Sequence, residues 1–276
     1  GGRPDVLEQR GFPARVDGVD QALAAVREPL RPGATQIKLA AGGGISTPLN
    51  PLDSVQLLDE EMRAAVRAAA DYGTYVTVHA YTPQSLQRAI EAGVRSVEHA
   101  HLVDEPTMKL IAERGVFVST QAYAFSGVFS RPAAPGSPPP TAAQLFVRAK
   151  AERVQAGLDR MMLLAKKYRV KVAFGTDLFG TERVVTLQPR EFGARLKWFT
   201  SAEILSQATG VNGELLELSG TRSGYPGPLG ILAPGAMADL LVVEGNPLED
   251  VRVLEEPTRN LLVIVKDGQV VSSQLP

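Results

Sequence analysis

Five short runs of branched and small apolar residues, "TQIKLAA", "YVTVHAY", "RSVEHA", "GVFVST" and "VKVAFGTD", recur along the chain. Segments with apolar residues at helical spacing lie before and between them: "VDQALAAVREPL", "DEEMRAAVRAAADYG", "PQSLQRAIEAG" and "EPTMKLIAERG". The second opens on an acidic first turn, suited to the positive end of a helix dipole, and closes on Gly73. This alternation constrains the fold most, because parallel strands need crossover connections and helices supply them. Polar residues recur near the carboxyl ends of successive runs, where barrel enzymes assemble their sites. The expected fold is therefore α/β, with the strands belonging to a (β/α)8 TIM barrel rather than to an open sheet.

Two stretches leave this rhythm. "SRPAAPGSPPPTAAQ", residues 130–144, is too rich in proline for a central strand or a helix interior. It reads as an excursion over the barrel mouth, either a lid or substrate wall or a surface insertion, followed by the helix "LFVRAKAERVQAGLDRMMLLAKKYR". After residue 225, "GPLGILAPGAMADLLVVEGNPLEDV" and "NLLVIVKDGQVV" read as short strands, with "KDG" as a hairpin turn. The expected division is 1–224 as barrel and 225–276 as a separate β segment.

Composition removes several function classes. With 29 Lys+Arg against 30 Asp+Glu, the chain has no electrostatic reason to seek nucleic acid or an anionic membrane. No apolar run approaches the ~18 to 20 residues of a membrane span. Absence of cysteine excludes disulfides and thiolate chemistry without fixing the compartment, so any metal must be held by His, carboxylate or a modified side chain.

The candidate chemistry lies at strand ends. Lys38 sits in "TQIKLAAGGG", His79 in "VTVHAY", His99 in "SVEHAH", and Asp177 follows "VAFGT". Singly, each has a plain structural explanation: a strand-end lysine reaching water, a hydrogen-bonded histidine, a Gly-Thr-Asp turn. Together they put four residues able to bind metal at the ends of four strands. The glycines after Lys38 do not make a phosphate loop, because the lysine precedes Gly42, Gly43 and Gly44, and Thr47 stands where a dinucleotide fingerprint has its last glycine. They are expected to let the backbone turn sharply away from a crowded strand end. Tyr81 lies two positions after His79 and so points to the same side of an extended chain, either as a donor to substrate or as a packed rim residue. His101 stands in the same relation to His99, either supporting the ligands and the substrate from beside them or in an ordinary polar role, with the ordinary role preferred. Arg131 and Arg183 fall on expected mouth loops and could hold a free carboxylate bidentately.

"IKLAAGGG", "VHAY", "SVEHA" and "FGTD", followed by "GPLGILAPGAMADLLVVEGNPLEDV" and "VIVKDGQVV", resemble the amidohydrolase superfamily, in its prolidase-like and Xaa-Arg or Xaa-Lys dipeptidase-like branch. The resemblance implies a distorted (β/α)8 barrel, a small β-sandwich to which the C-terminus contributes, and two divalent metals, usually zinc. Lys38 would match the lysine that reacts with carbon dioxide and bridges both metals as a carbamate. His79 and His99 would match ligands of the more exposed metal, and Asp177 the ligand of the buried metal that also handles protons. A metal-bridging hydroxide would then attack the amide before a C-terminal amino acid, in a dipeptide, an N-acyl amino acid or an ochratoxin-like amide. Two other readings use the same residues: a barrel enzyme forming a Schiff base on Lys38, and a non-catalytic barrel scaffold.

One departure from the resemblance is large. The superfamily's first-strand His-x-His pair has no counterpart here, since the one such pair, His99-Ala100-His101, sits at the sixth-strand position. The opening "GGRPDVLEQRGF" reads as a loop entered midway and resembles the connection between the third and fourth barrel strands. The chain is thus expected to be the C-terminal portion of a longer protein, whose N-terminal portion supplies the missing ligands, and a homo-oligomer is expected.

Overall fold

The structure is a computed structural model and describes residues 14–46, 49–125, 136 and 138–276. Five parallel strands form one sheet: β1 (Ile37–Ala40), β2 (Val76–Ala80), β3 (Ser96–His99), β4 (Phe117–Thr120) and β5 (Val172–Phe174). Their spatial order is the sequence order, β1-β2-β3-β4-β5. A doubly wound sheet reverses its order at a switch point and this one does not, so it winds in one direction as an arc of a barrel does.

Four helices make the crossovers: α2 (Asp59–Asp71), α3 (Pro83–Ala92), α4 (Glu105–Glu113) and α5 (Ala142–Lys167), with α1 (Val19–Leu30) ahead of β1. The amphipathic spacing read from the sequence works here as expected. Met62, Ala65 and Ala69 of α2, Leu86 and Ala89 of α3, Met108 and Ile111 of α4, and Met161 and Met162 of α5 are buried in one core against Val76, Val78, Val97 and Val118. Asp104 caps α4 by accepting from the Thr107 amide, and Thr141 with Gln144 forms a capping box at the start of α5. The last residues of the proline-rich stretch are thus helix cap and first turn rather than loop. Residues 130–135 and 137 of that stretch, Arg131 among them, lie outside the described residues.

Residues 225–276 supply a three-stranded antiparallel sheet of β6 (Leu240–Val243), β7 (Leu261–Lys266) and β8 (Gln269–Ser273). Asp267 and Gly268 form the turn between β7 and β8 with φ of 50° and 72°, the paired left-handed residues that match a two-residue hairpin to strand twist. Among the described residues no helix is long and apolar enough to cross a membrane.

Candidate functional site

Register decides which side chains look away from the helices. Lys38 lies beside Thr77, Thr77 beside Ser96, His79 beside Glu98, and Glu98 beside Ser119. Since neighbours in a parallel pair point the same way, these form one inward set, while Val76, Val78, Ala80, Val97 and Val118 pack against the helices. The Thr77 hydroxyl donates to Glu98 Oε1 at 2.7 Å, which confirms the inward direction of both.

Strict alternation would then turn His99 outward. Instead its ring lies 4.4 Å from the His79 ring and stacks on Tyr81 at 4.8 Å. The break is in the backbone: His99 has φ 78° and Ala100 φ 56°, the left-handed region that non-glycine residues rarely enter. Asp177, at the end of the segment leaving β5, also has a left-handed φ of 51°. Such conformations cost on the order of 1 to 3 kcal/mol and concentrate where function requires a set geometry.

The two histidine rings are neutral and oriented. His79 Nε2 lies 3.1 Å from the Gly43 carbonyl, which can only accept, so Nε2 carries the proton and Nδ1 is left with its lone pair. His99 Nδ1 lies 2.7 Å from Gln121 Oε1. Burial holds the His99 ring well below its ordinary value, with the positive potential of its neighbours adding to the effect, and burial likewise lowers His79 against the pull of the Gly43 bond. Asp177 is exposed at the surface as a residue, yet partial burial of its carboxyl among the surrounding chain raises it above the usual range; Lys38 opposes that shift and Glu98 reinforces it. Lys38, exposed on β1, is within electrostatic reach of His79, His99 and Asp177.

Among the other candidates, Tyr81 is only 3% exposed and packs in an apolar cluster with Ile45, Leu52, Phe125 and Leu178. Its ring sits 5.1 Å from His79, on the side that the two-residue spacing requires. His101 is fully buried, packs on Phe125 and directs Nε2 at the Gln121 carbonyl, 3.1 Å away. Arg183 is exposed on a short helix, α6 (Glu182–Val185), rather than on a loop. The glycines after Lys38 answer a different need from the expected sharp turn. None of the three has a positive φ, but a Cβ on Gly43 would overlap the Pro51 carbonyl, so the loop needs glycine for close packing beside His79.

Several residues at this end of the sheet escape sequence reasoning. Glu98 is the carboxylate directly before His99, and its presence inside an apolar run was the visible signal. Lys150 of α5 is buried and donates to the carbonyls of Gly44 (2.6 Å) and Asn50 (3.0 Å), tying the glycine loop down. Glu191 and Arg195, on α7 (Arg190–Arg195), form an ion pair of 2.7 Å with no exposure on either side chain. Glu191 accepts from the amides of Ala122 and Tyr123, and Arg195 donates to the carbonyls of Thr120 and Ala173 and to Gln207. The pair therefore clamps the segment leaving β4 on both sides of Gln121. Their i,i+4 spacing was legible; their partners were not.

The sequence pattern described as the Amidohydrolase family matches residues 4–271. Ochratoxinase of Aspergillus niger is 31% identical over 247 residues, covering 87% of this chain and 47% of the ochratoxinase. A prolidase solved in complex with N-methylphosphonate-L-proline superposes with a TM-score of 0.82 at 36% identity, covering 94% of this chain and 60% of that one. A Xaa-Pro dipeptidase with methionine bound in its active site gives 0.80 at 31% identity, over 98% of this chain and 64% of that one. The chain spans about half the length of the curated relatives it matches.

Proposed function

The chain belongs to the amidohydrolase family, and from that premise we propose that it carries part of a metal-dependent hydrolase that cleaves the amide before a C-terminal amino acid. Dipeptides, N-acyl amino acids and ochratoxin-like amides are the substrate class, in keeping with the relatives' names. The observation that carries the reading is the close approach of the His79 and His99 rings, 4.4 Å apart, at one end of the parallel sheet, with Lys38 within electrostatic reach of both rings and of Asp177, and left-handed backbone at His99 and Asp177.

The donor set suits a metal. His79 and His99 are neutral, and each has one ring nitrogen engaged and the other available, as ligands require. Among the described residues no three His, Cys, Asp or Glu side chains gather closely enough to hold a metal, so Asp177 does not join His79 and His99 in one cluster. A lysine can complete such a site only as an anionic adduct, so Lys38 would hold metal as a carbamate, alongside His79, His99 and Asp177 and further ligands from outside these residues. Bound divalent metal would lower the pKa of a coordinated water toward ~7 and polarise the substrate carbonyl.

The chain's own residues set the rest. The Asp177 carboxylate takes a proton from the attacking water and passes it to the leaving nitrogen, a role worth roughly 10² to 10⁴ in rate. Burial raises its carboxyl above the usual carboxylate range, which makes the carboxylate a stronger proton acceptor than an exposed one. The stack of Tyr81 on His99 and its edge contact with His79 restrain both rings.

The test is metal content measured beside hydrolysis of a panel of dipeptides and N-acyl amino acids, on full-length protein. About two divalent metals per chain are expected, with Lys38→Ala losing at least one. Asp177→Asn should lower kcat by roughly 10² or more with little change in KM. Full metal content in Lys38→Ala, or trapping of Lys38 by borohydride in the presence of a carbonyl substrate, would overturn the reading in favour of a free amine nucleophile.

A further inference from the structure

His99 and His101 lie two residues apart, and both are held by one residue, Gln121, through different atoms. The Gln121 side-chain oxygen meets His99 Nδ1 at 2.7 Å, and its main-chain carbonyl meets His101 Nε2 at 3.1 Å. Both acceptors are oxygens, so each ring must place its proton at the nitrogen that faces Gln121. We propose that Gln121 is the positioning residue that sets these two histidines in opposite tautomers, His99 protonated on Nδ1 and His101 on Nε2. His99 is thereby left with a bare Nε2 for coordination, while His101 is excluded from the ligand set.

Three features make Gln121 suited to this. It is 2% exposed, so no water competes for its amide. Its flanks are fixed by the Glu191–Arg195 pair, which binds the Thr120 carbonyl on one side and the Ala122 and Tyr123 amides on the other. His101 Nδ1, the nitrogen left over, is buried and has no hydrogen-bond partner among the described residues. The ring of His101 packs on Phe125, and its main-chain carbonyl lies close against Gly157 of α5.

The consequence for metal rests on the proposed function; the tautomers themselves do not. Long-range proton–nitrogen correlation spectra of ¹⁵N-histidine-labelled, metal-free protein at neutral pH report which nitrogen of each ring is protonated. Signals are assigned by their loss in His79→Gln, His99→Gln and His101→Gln. The expected pattern is Nε2–H for His79 and His101 and Nδ1–H for His99. Gln121→Leu should release His99 from the Nδ1–H form, and Gln121→Glu, which keeps the acceptor, should retain it. His99 found as Nε2–H in the parent protein, or unchanged in Gln121→Leu, would overturn the proposal. Zinc affinity, read by competition with a chromophoric chelator, should fall about 10- to 100-fold in Gln121→Leu and recover in Gln121→Glu. If the tautomer pattern changes as expected but zinc affinity does not, the positioning of a ligand is overturned; if the parent protein binds no zinc at all, the proposed function fails while the tautomer result stands.

Discussion

Removing Arg195 should destabilise the protein far more than removing Arg195 and the charge of Glu191 together. Both side chains have zero exposure and their closest approach is 2.7 Å. Arg195→Met deletes the guanidinium that also donates to Thr120, Ala173 and Gln207 and lies 4.5 Å from the Phe174 ring. It leaves a buried carboxylate held only by the amides of Ala122 and Tyr123. Breaking a buried pair on one side costs about 3 to 5 kcal/mol, at least about a fifth of the ~5 to 15 kcal/mol that typically holds a domain folded. In Glu191→Gln/Arg195→Met the amide oxygen still accepts from the two main-chain donors and no buried charge is stranded. What remains is the loss of the Arg195 hydrogen bonds, about 1 to 3 kcal/mol. Urea unfolding of the two single variants and the double variant, compared at equal slope, reads the difference. If Arg195→Met costs under about 1 kcal/mol, or if the single effects simply add, then the two charges do not depend on each other and the clamp on Gln121 is not electrostatic.

The other expectations concern the same end of the sheet. Thr77→Val and Glu98→Gln should be coupled by about 0.5 to 3 kcal/mol in a double-mutant cycle, because the Thr77 hydroxyl donates to Glu98; additivity would mean that Glu98 points out of the barrel. Gly157→Ala should destabilise α5 even though alanine favours a helix by ~1 kcal/mol, since the new Cβ would overlap the His101 carbonyl and overpacking costs about 1 to 3 kcal/mol; a higher urea midpoint would refute this. In metal-free protein, burial lowers His101 from 6.5 to about 4, so the unfolded chain takes up its proton first. That contribution is complete above the unfolded value and lost as pH falls toward the folded one, on the order of 3 kcal/mol; His101→Gln should flatten this acid limb, and an unchanged limb would refute the assignment.

What was legible in the sequence, and what was not, divides by range. The strand runs, the crossover helices and the KDG hairpin follow from local periodicity and turn chemistry, and the structure forms them where expected. Lys38, His79 and Asp177 could be placed because a polar residue ending an apolar run is itself a local signal. Glu191 and Gln121 could not, because the carboxylate binds amides 68 and 69 residues away and Gln121 reaches His99 across 22. Tertiary partners at such separations leave no periodic trace. The glycine run was read through the wrong property of glycine: the sequence suggested conformational freedom, while the packing of Pro51 against Gly43 requires the absence of a side chain.

Backbone strain in this chain is placed where alternation fails. Five non-glycine residues have positive φ among the described residues, and two have ordinary duties: Arg169 ends α5 and Asp267 turns the hairpin. The other three, His99, Ala100 and Asp177, are at the candidate site. Lys38 and His79 need no such strain, since period-two alternation already points them inward from β1 and β2. His99 follows Glu98, which takes the inward position, so only a left-handed step can bring both side chains to the same side. That step costs about 1 to 2 kcal/mol per residue and persists because the surrounding main chain fixes it. Ala100 donates to the Ala80 carbonyl, Leu102 to Tyr81 and Val103 to Ala100, each at 3.0 Å. Bonds that tie the turn to β2 also set the distance between the His79 and His99 rings, so the strain and the ligand geometry have one cause.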